Sequence, residues 1–253
     1  MYPRPEHDRL TVWKQTQEKY SIFPPQSSTL YTSFSEEEQK ALPRYHTTVV
    51  SVEQGDCIEI AIRYKRLGCN PLLLNMADWS RAGGMVDFGS GAQEEECFRR
   101  SNYYKFLHQS YYPLKKYDTL VSKGVEYYCG PMKSGYLYMD KPETIDMIAA
   151  PSVQSPWVTK DGKEFQNSED VETMEQKIRL LFWIGAKEGN DVLVLSAWGC
   201  GAFGCPAPHV ARIFKKVCDE QKGLFKRVVF AIIGHNFLSN NFDVFNEVFT
   251  TTN

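Results

Sequence analysis

The chain predicts an α/β/α sandwich built on a mixed, largely parallel sheet, and three observations carry that expectation. Strand-like and helix-like stretches alternate across residues 47–250, the order expected of a sheet with crossover helices. Two strand candidates, 71–75 and 192–195, are almost wholly apolar (Pro-Leu-Leu-Leu-Asn and Val-Leu-Val-Leu), as in strands covered on both faces. Each of these two is followed by a glycine-rich loop and then a helical stretch. In open α/β sheets ligands bind beyond the carboxyl ends of strands, in loops of that kind.

Residues 1–45 form a polar, Pro-containing lead-in, with helical stretches near 8–20 and 35–42 and loop at 23–28. They are expected to be an N-terminal extension packing on a core domain of residues 46–253. Residues 47–52 (Thr-Thr-Val-Val-Ser-Val) are β-branched and strand-like. Across 56–67, Cys57, Ile60, Ala61, Tyr64 and Leu67 fall on one helical face, and Gly68 supplies a stop. The strand at 71–75 leads into the first glycine loop, and a helix over 93–107 opens on an acidic run. Residues 108–144 are tyrosine-rich and read as hairpins or loops around Gly124 and Gly130. An apolar strand at 145–150 stops at Pro151, and a polar loop over 152–168 turns at Asp161-Gly162. Val171, Met174, Ile178, Leu181 and Phe182 give the next helical stripe, closed near Gly189-Asn190. After the strand at 192–195 and the second glycine loop comes a helix over 209–218, with Val210, Ile213, Phe214 and Val217 inward. Residues 227–233 are a last strand, and Phe242, Phe245 and Phe249 place a final helix against it.

A chain of 253 residues can bury a substantial core. Its 29 basic and 31 acidic residues leave a formal charge of −2, so no overall field recruits nucleic acid or anionic lipid. The first residues, Met-Tyr-Pro-Arg-Pro-Glu-His-Asp, carry no apolar h-region, and no later apolar run is long enough to cross a bilayer. Seven scattered cysteines form no disulfide framework and read as reduced thiols. The expectation is a cytoplasmic or nuclear protein, not secreted, without membrane contact, with nucleic-acid partners unlikely and a monomer as the default.

Four glycines lie within nine residues (Gly83, Gly84, Gly89, Gly91), ahead of Gln93-Glu94-Glu95-Glu96. Glycine lets backbone approach a ligand without a Cβ clash. Such a loop ending in carboxylates suits a sugar or phosphate held against an acid, or else a surface loop and the solvated first turn of a helix. The second loop, Trp198-Gly-Cys-Gly-Ala-Phe-Gly204, frees backbone donors, and Phe203 offers a flat face for a sugar or base. Two such loops converging at one sheet edge would suit a diphosphate. Cys200, Cys205 and His209 are too few and too isolated for zinc, and neither a metal nor a cofactor is expected. His46, His108 and His235 have no recognisable nucleophile partner, and the basic groups at 215–216 and 222–227 read as a solvated face.

Together the two motifs resemble the macrodomain fold of poly(ADP-ribose) glycohydrolases, in the compact bacterial-type branch. That family has a Gly-Gly-Gly run, seven intervening residues and then Gln-Glu-Glu; here Gly83-Gly84-Met85 is followed after seven residues by Gln93-Glu94-Glu95. The loop 198–204 is similar residue for residue. Leu74-Asn75-Met76-Ala77 ahead of the first loop, and Arg99-Arg100-Ser101 after the carboxylates, fit as well. The resemblance implies that Glu95 is the catalytic carboxylate and that Glu94 binds the ribose being released. It implies that Gly199, Cys200, Gly201, Ala202, Phe203 and Gly204 wrap the diphosphate and proximal ribose. Asn75 and Asp78 fall in the segment that reaches the distal ribose, and Gly83, Gly84 and Gln93 complete the substrate-binding set.

Those residue types suit cleavage of a ribosyl acetal, in which one carboxyl protonates the leaving oxygen and then activates water. Adjacent carboxylates raise one another's proton affinity. Successive helical residues point apart, so Glu94 and Glu95 should meet different ligand atoms and Glu96 should face solvent. Two positions depart from the family pattern. Met85 stands where the third glycine is usual, and Asp78 stands for an asparagine. Ile233, Phe237 and Phe242 are candidates for contact with adenine. The expected activity is ADP-ribosyl glycohydrolysis of poly- or mono-ADP-ribose adducts, with ADP-ribose or ADP-ribosylated protein as partner. A non-catalytic ADP-ribose reader is the alternative. An unrelated α/β enzyme is disfavoured by the lack of a nucleophile elbow, P-loop or complete dinucleotide fingerprint.

Overall fold

Seven strands and seven α-helices make up the computed structural model, which describes residues 5–42, 44–234 and 240–251. The expected class, mixed α/β with a largely parallel sheet, is what the chain adopts. Its contacts divide it into two units, one of residues up to 31 together with 75–151, the other of 32–74 with 152 onward.

The second unit holds the parallel strands. β2 (Val49–Gln54), β3 (Pro71–Met76, as far as Leu74), β6 (Val192–Leu195) and β7 (Arg227–Ile232) lie in the order β3-β6-β7-β2. β3 and β6 pair in parallel from Pro71↔Val192, and β6 and β7 from Val192↔Arg227. β3, as far as Leu74, and β6 therefore run in the same direction. Every residue of β6, and of β3 as far as Asn75, is buried. Because successive side chains point to opposite faces, this part of the sheet is covered on both sides, as the apolar runs predicted.

Helices α3 (Cys57–Arg66), α5 (Ser168–Lys187), α6 (Ala207–Glu220) and α7 (Asn241–Thr250) belong to this unit. Asp56 caps α3 by accepting from the Ile58 and Glu59 N–H groups, and Cys57, Ile60, Ala61 and Tyr64 are buried as expected. Leu67 is not: it lies past the last turn and is 70% exposed. Phe214 of α6 and Phe245 of α7 pack on Phe230 of β7, with ring centroids 5.1 and 5.5 Å apart. The short α2 (Glu36–Lys40) carries a capping box between Ser35 and Glu38.

The first unit is antiparallel. β1 (Thr29–Tyr31) pairs with β4 (Thr119–Cys129), and β4 with β5 (Tyr138–Ala150). The β4–β5 hairpin turns beyond Gly130, one of the two glycines expected there. Gly124 instead lies inside β4, where the register slips between Ser122 and Val125. Helix α1 (Pro5–Lys19) packs against α4 (Gln93–Arg100).

The helix expected over 93–107 ends at Arg100. Ser101 is extended, bridges to Tyr127, and is followed by Asn102, whose N–H donates to the Glu126 carbonyl. Pairing with β4 draws the chain out of the helix although its apolar residues continue. Among the described residues no helix is long and apolar enough to cross a membrane.

Candidate active site

Helix α4 begins with three acids in its first turn, where the helix dipole favours negative charge, yet Glu94 and Glu95 are only 4% and 5% exposed. Burying a carboxylate is costly unless donors surround it, and the loop ahead of α4 supplies them. Glu94 Oε1 accepts from Asn75 Nδ2 and the Gly83 N–H, both at 3.2 Å, and Oε2 from the Asp78 N–H at 2.7 Å. Glu95 Oε1 accepts from the Met85 N–H at 3.0 Å. Gln93 fastens the strand end, its Oε1 accepting from the Met76 N–H at 2.9 Å.

Both glycines are required there. Gly83 and Gly84 have φ of +77° and +56°, a region that costs a side chain about 1–2 kcal/mol. A Cβ on Gly83 would lie 2.6 Å from the Phe98 ring, and one on Gly84 would lie 2.7 Å from Glu95 Oε1. Backbone donors reach the acids because these two positions carry nothing. Met85 keeps the same service through its N–H while its side chain stays 44% exposed, with Sδ 3.6 Å from Arg81 Nη1.

Burial pushes the Glu94 carboxyl up to about 8, against the pull of its donors and with the neighbouring Glu95 adding to the rise. Glu95 Oε2 is buried and has no hydrogen-bond partner among the described residues. Asp78 Oδ1 serves its own turn, accepting from the Ser80 N–H and Oγ at 2.6 Å and from the Arg81 N–H at 3.1 Å. Glu96 does not face solvent as expected. Its Oε1 accepts from Arg99 Nη2 at 2.8 Å and from the Tyr136 hydroxyl at 2.7 Å. Arg99 is fully buried and requires a counter-ion, which the acid three positions earlier provides.

In the second unit Trp198 is fully buried and acts as a core plug, while Gly201, Ala202 and Gly204 are exposed and Phe203 is half-buried. Gly199 has φ +80°, and a Cβ there would lie 2.6 Å from Ser152 Oγ and 2.8 Å from Cys205 Sγ. The Cys205 N–H donates to the Gly199 carbonyl at 2.9 Å, and the Gly204 N–H to Gly201 at 3.0 Å, folding the loop on itself. The N–H groups of Gly199, Gly201, Ala202 and Phe203 donate to no acceptor among the described residues. Packing pushes the thiols of Cys200 and Cys205 up, Cys205 to about 12, so neither is a nucleophilic thiolate near neutrality. His209 Nδ1 accepts from the Phe165 N–H at 3.1 Å. Among the described residues no three His, Cys, Asp or Glu side chains are arranged to hold a metal. Ile233 is 70% exposed, Phe242 is half-buried, and Phe237 and His235 lie outside the described residues.

The structure thus gathers Asn75, Asp78, Gly83, Gly84, Gln93, Glu94 and Glu95 into one hydrogen-bonded group, and Gly199–Gly204 into one loop. Contacts that no sequence motif marks lie behind the first group. Trp13 Nε1 donates to Asp87 Oδ1 at 2.6 Å, and Phe98 lies under Gly83. The spacing of Arg9, Trp13 and Thr16 along one face of α1 was the available signal.

Comparison with known proteins gives the same direction. Residues 11–129 match the family described as microbial-type PARG, catalytic domain. The poly(ADP-ribose) glycohydrolase of Thermomonospora curvata is 21% identical with a TM-score of 0.77, covering 96% of this chain and 99% of its own. A second structure of that protein, bound to the inhibitor ADP-HPD, gives 21% and 0.75, covering 94% and 98%. The enzyme of Deinococcus radiodurans in complex with ADP-ribose is 23% identical with a TM-score of 0.75, covering 87% and 93%. These likenesses establish a shared fold. No curated protein is matched by sequence at a significant level.

Proposed function

We propose that this chain, whose residues 11–129 match the microbial-type PARG catalytic domain, hydrolyses the ribosyl bond of poly- or mono-ADP-ribose adducts and releases ADP-ribose. The observation that carries this reading is the Glu95 carboxyl, buried, with one oxygen fixed by the Met85 N–H and the other unengaged. That is the disposition a single acid/base needs: oriented by one oxygen, reactive through the other.

In the reaction, the Glu95 carboxyl gives its proton to the leaving oxygen as the bond from that oxygen to the anomeric carbon breaks. The ribose becomes an oxocarbenium ion. Water adds to that carbon, and the Glu95 carboxylate takes the water's proton, restoring the acid. Glu94, held on both oxygens by N–H donors, positions the ribose hydroxyls instead. Asn75 and Asp78 contribute at the strand end, and the unengaged N–H groups of Gly199, Gly201, Ala202 and Phe203 receive the diphosphate. The solved relatives bound to ADP-ribose and to ADP-HPD support that ligand class.

Replacing Glu95 with Gln tests the assignment. Release of ADP-ribose from modified protein should fall by about a thousandfold or more, the scale of losing a general acid/base, while ADP-ribose affinity stays within a few fold. Hydrolysis by E95Q at the wild-type rate overturns the role of Glu95. Tight binding without any release by the wild-type chain identifies a reader instead.

A further inference from the structure

The N-terminal helix bears directly on the loop that carries the carboxylates. Arg9, Trp13 and Thr16 are four and three residues apart, so they share one face of α1. Each meets a different part of the loop–helix unit. Arg9 Nη1 donates to the Gly89 carbonyl at 3.4 Å, and its guanidinium lies where a Cβ on Gly91 would be. Trp13 Nε1 donates to Asp87 Oδ1 at 2.6 Å. Thr16 Oγ1 donates to the Arg99 carbonyl at 2.6 Å, in the last turn of α4.

Trp13 bears on both limbs of the loop, on one directly and on the other through Phe98 of α4. On the downstream limb it holds Asp87, in the 3-10 turn at Val86–Phe88. Towards the upstream limb its ring packs against Phe98 of α4, centroids 6.2 Å apart, and Phe98 is the ring beneath Gly83. The Gly83 N–H binds Glu94, and the N–H of Met85, next to the turn, binds Glu95. Trp13 is 6% exposed and is wedged edge-on against Tyr104, centroids 5.4 Å apart. It is a fixed post rather than a mobile side chain.

We propose that Trp13 and Asp87 are positioning residues for the hydrolysis: their hydrogen bond ties the loop to α1 and so fixes the N–H groups that aim Glu94 and Glu95. The inference rests on the glycohydrolase reading above. A loop released at Asp87 keeps its sequence and its ligand contacts but loses the register of those donors. A displacement near 1 Å of a catalytic group costs up to about a hundredfold in rate.

Three variants test it on the full chain. Trp13→Phe keeps a ring against Phe98 and removes the N–H. Asp87→Ala removes the acceptor, and Asp87→Asn retains one. Rates of ADP-ribose release, measured with polymer and with mono-ADP-ribosylated protein, give kcat and KM for each. The expected result is kcat lowered about tenfold in W13F and D87A with KM within about twofold, D87N holding at least about half of wild-type kcat. The W13F/D87A double variant should be no worse than either single variant. Asp87 is exposed but the Trp13 N–H it holds is not, so D87A should lower the thermal midpoint by a few degrees while the chain still folds; it carries the test if W13F fails to fold. Wild-type kcat in D87A and W13F, losses confined to KM, losses that simply add, or no rescue by D87N overturn the inference. Absence of release by the wild-type chain removes the glycohydrolase reading itself, whereas wild-type turnover with unaffected variants removes only this one.

Discussion

The two glycine loops solve opposite problems with the same residue. In the first, the N–H groups of Met76, Asp78, Gly83 and Met85 are all consumed by the side chains of Gln93, Glu94 and Glu95. In the second, four N–H groups of 199–203 meet no acceptor among the described residues. One loop spends its donors on acids held at a fixed angle, and the other leaves four of its donors without an acceptor among the described residues. Glycine in the first is a demand of packing against carboxylates; in the second it is a demand of packing only at Gly199, and Gly201 and Gly204 have open space where a Cβ would be. Counting glycines does not separate the two uses; asking where the donors go does.

The contrast breaks most sharply at Gly84. G84A combines a left-handed φ with a methyl 2.7 Å from Glu95 Oε1 and 3.2 Å from Glu94 Oε2, so both acids must move. Its kcat should fall about a hundredfold or more, with affinity for ADP-ribose changed far less. Equal losses in kcat and affinity would show that the first loop also presents donors to the ligand. Next is G199A, where the methyl meets Ser152 Oγ and Cys205 Sγ. Calorimetry should give affinity about tenfold weaker, and denaturant unfolding a loss of about 2 kcal/mol.

G201A sharpens the point. Gly201 is exposed, not left-handed, and has nothing within 4 Å of an added Cβ. Stability should hold within about 0.5 kcal/mol, while affinity falls severalfold because the bare Cα is where a diphosphate would approach. Unchanged affinity would count against this loop as the diphosphate site.

A further prediction concerns pH and stability rather than ligand. Glu94 binds its proton more tightly in the folded chain, up to about 8 against 4.5 for the free group. Between these values the native state holds a proton that the unfolded state has lost. Stability from this group is therefore full below about pH 4.5, declines as pH rises towards 8, and is flat above. The slope is at most about 1.4 kcal/mol per pH unit. Urea unfolding of wild type and E94Q across that window should show the slope only in wild type; parallel curves would assign the proton elsewhere.

Much of this was legible in the residues. β3 and β6 could be read because strands covered on both faces show unbroken apolar runs, and the loops because most of their glycines (Gly83, Gly84, Gly89, Gly199, Gly204) sit at positive φ. The overrun of α4 had a physical cause. Tyr103, Tyr104, Phe106 and Leu107 continue an apolar pattern, and only pairing with β4, through Ser101 and Asn102, ends the helix. Strand β1, at three residues, is too short to leave a period. The exposure of Leu67 and the tethering of Glu96 were misread for related reasons. Periodicity assigns a face but does not know where a helix stops, or that Arg99 will be sealed in beside it. Trp13 left a stripe on α1 but no indication of what that stripe would touch.

Glu96 shows how differently neighbouring acids can fail. Its charge cancels that of Arg99, a guanidinium with no access to water. Stripping the partner from a sealed ion of this kind costs about 3–5 kcal/mol. Damage at Glu96 would thus be felt as scarcity of folded protein, and damage at Glu95 as idleness of protein that is present in full. On the proposed role of Glu95, turnover per folded molecule should be intact in E96Q and absent in E95Q, the measurement that tells a lost counter-ion from a lost acid/base one residue away.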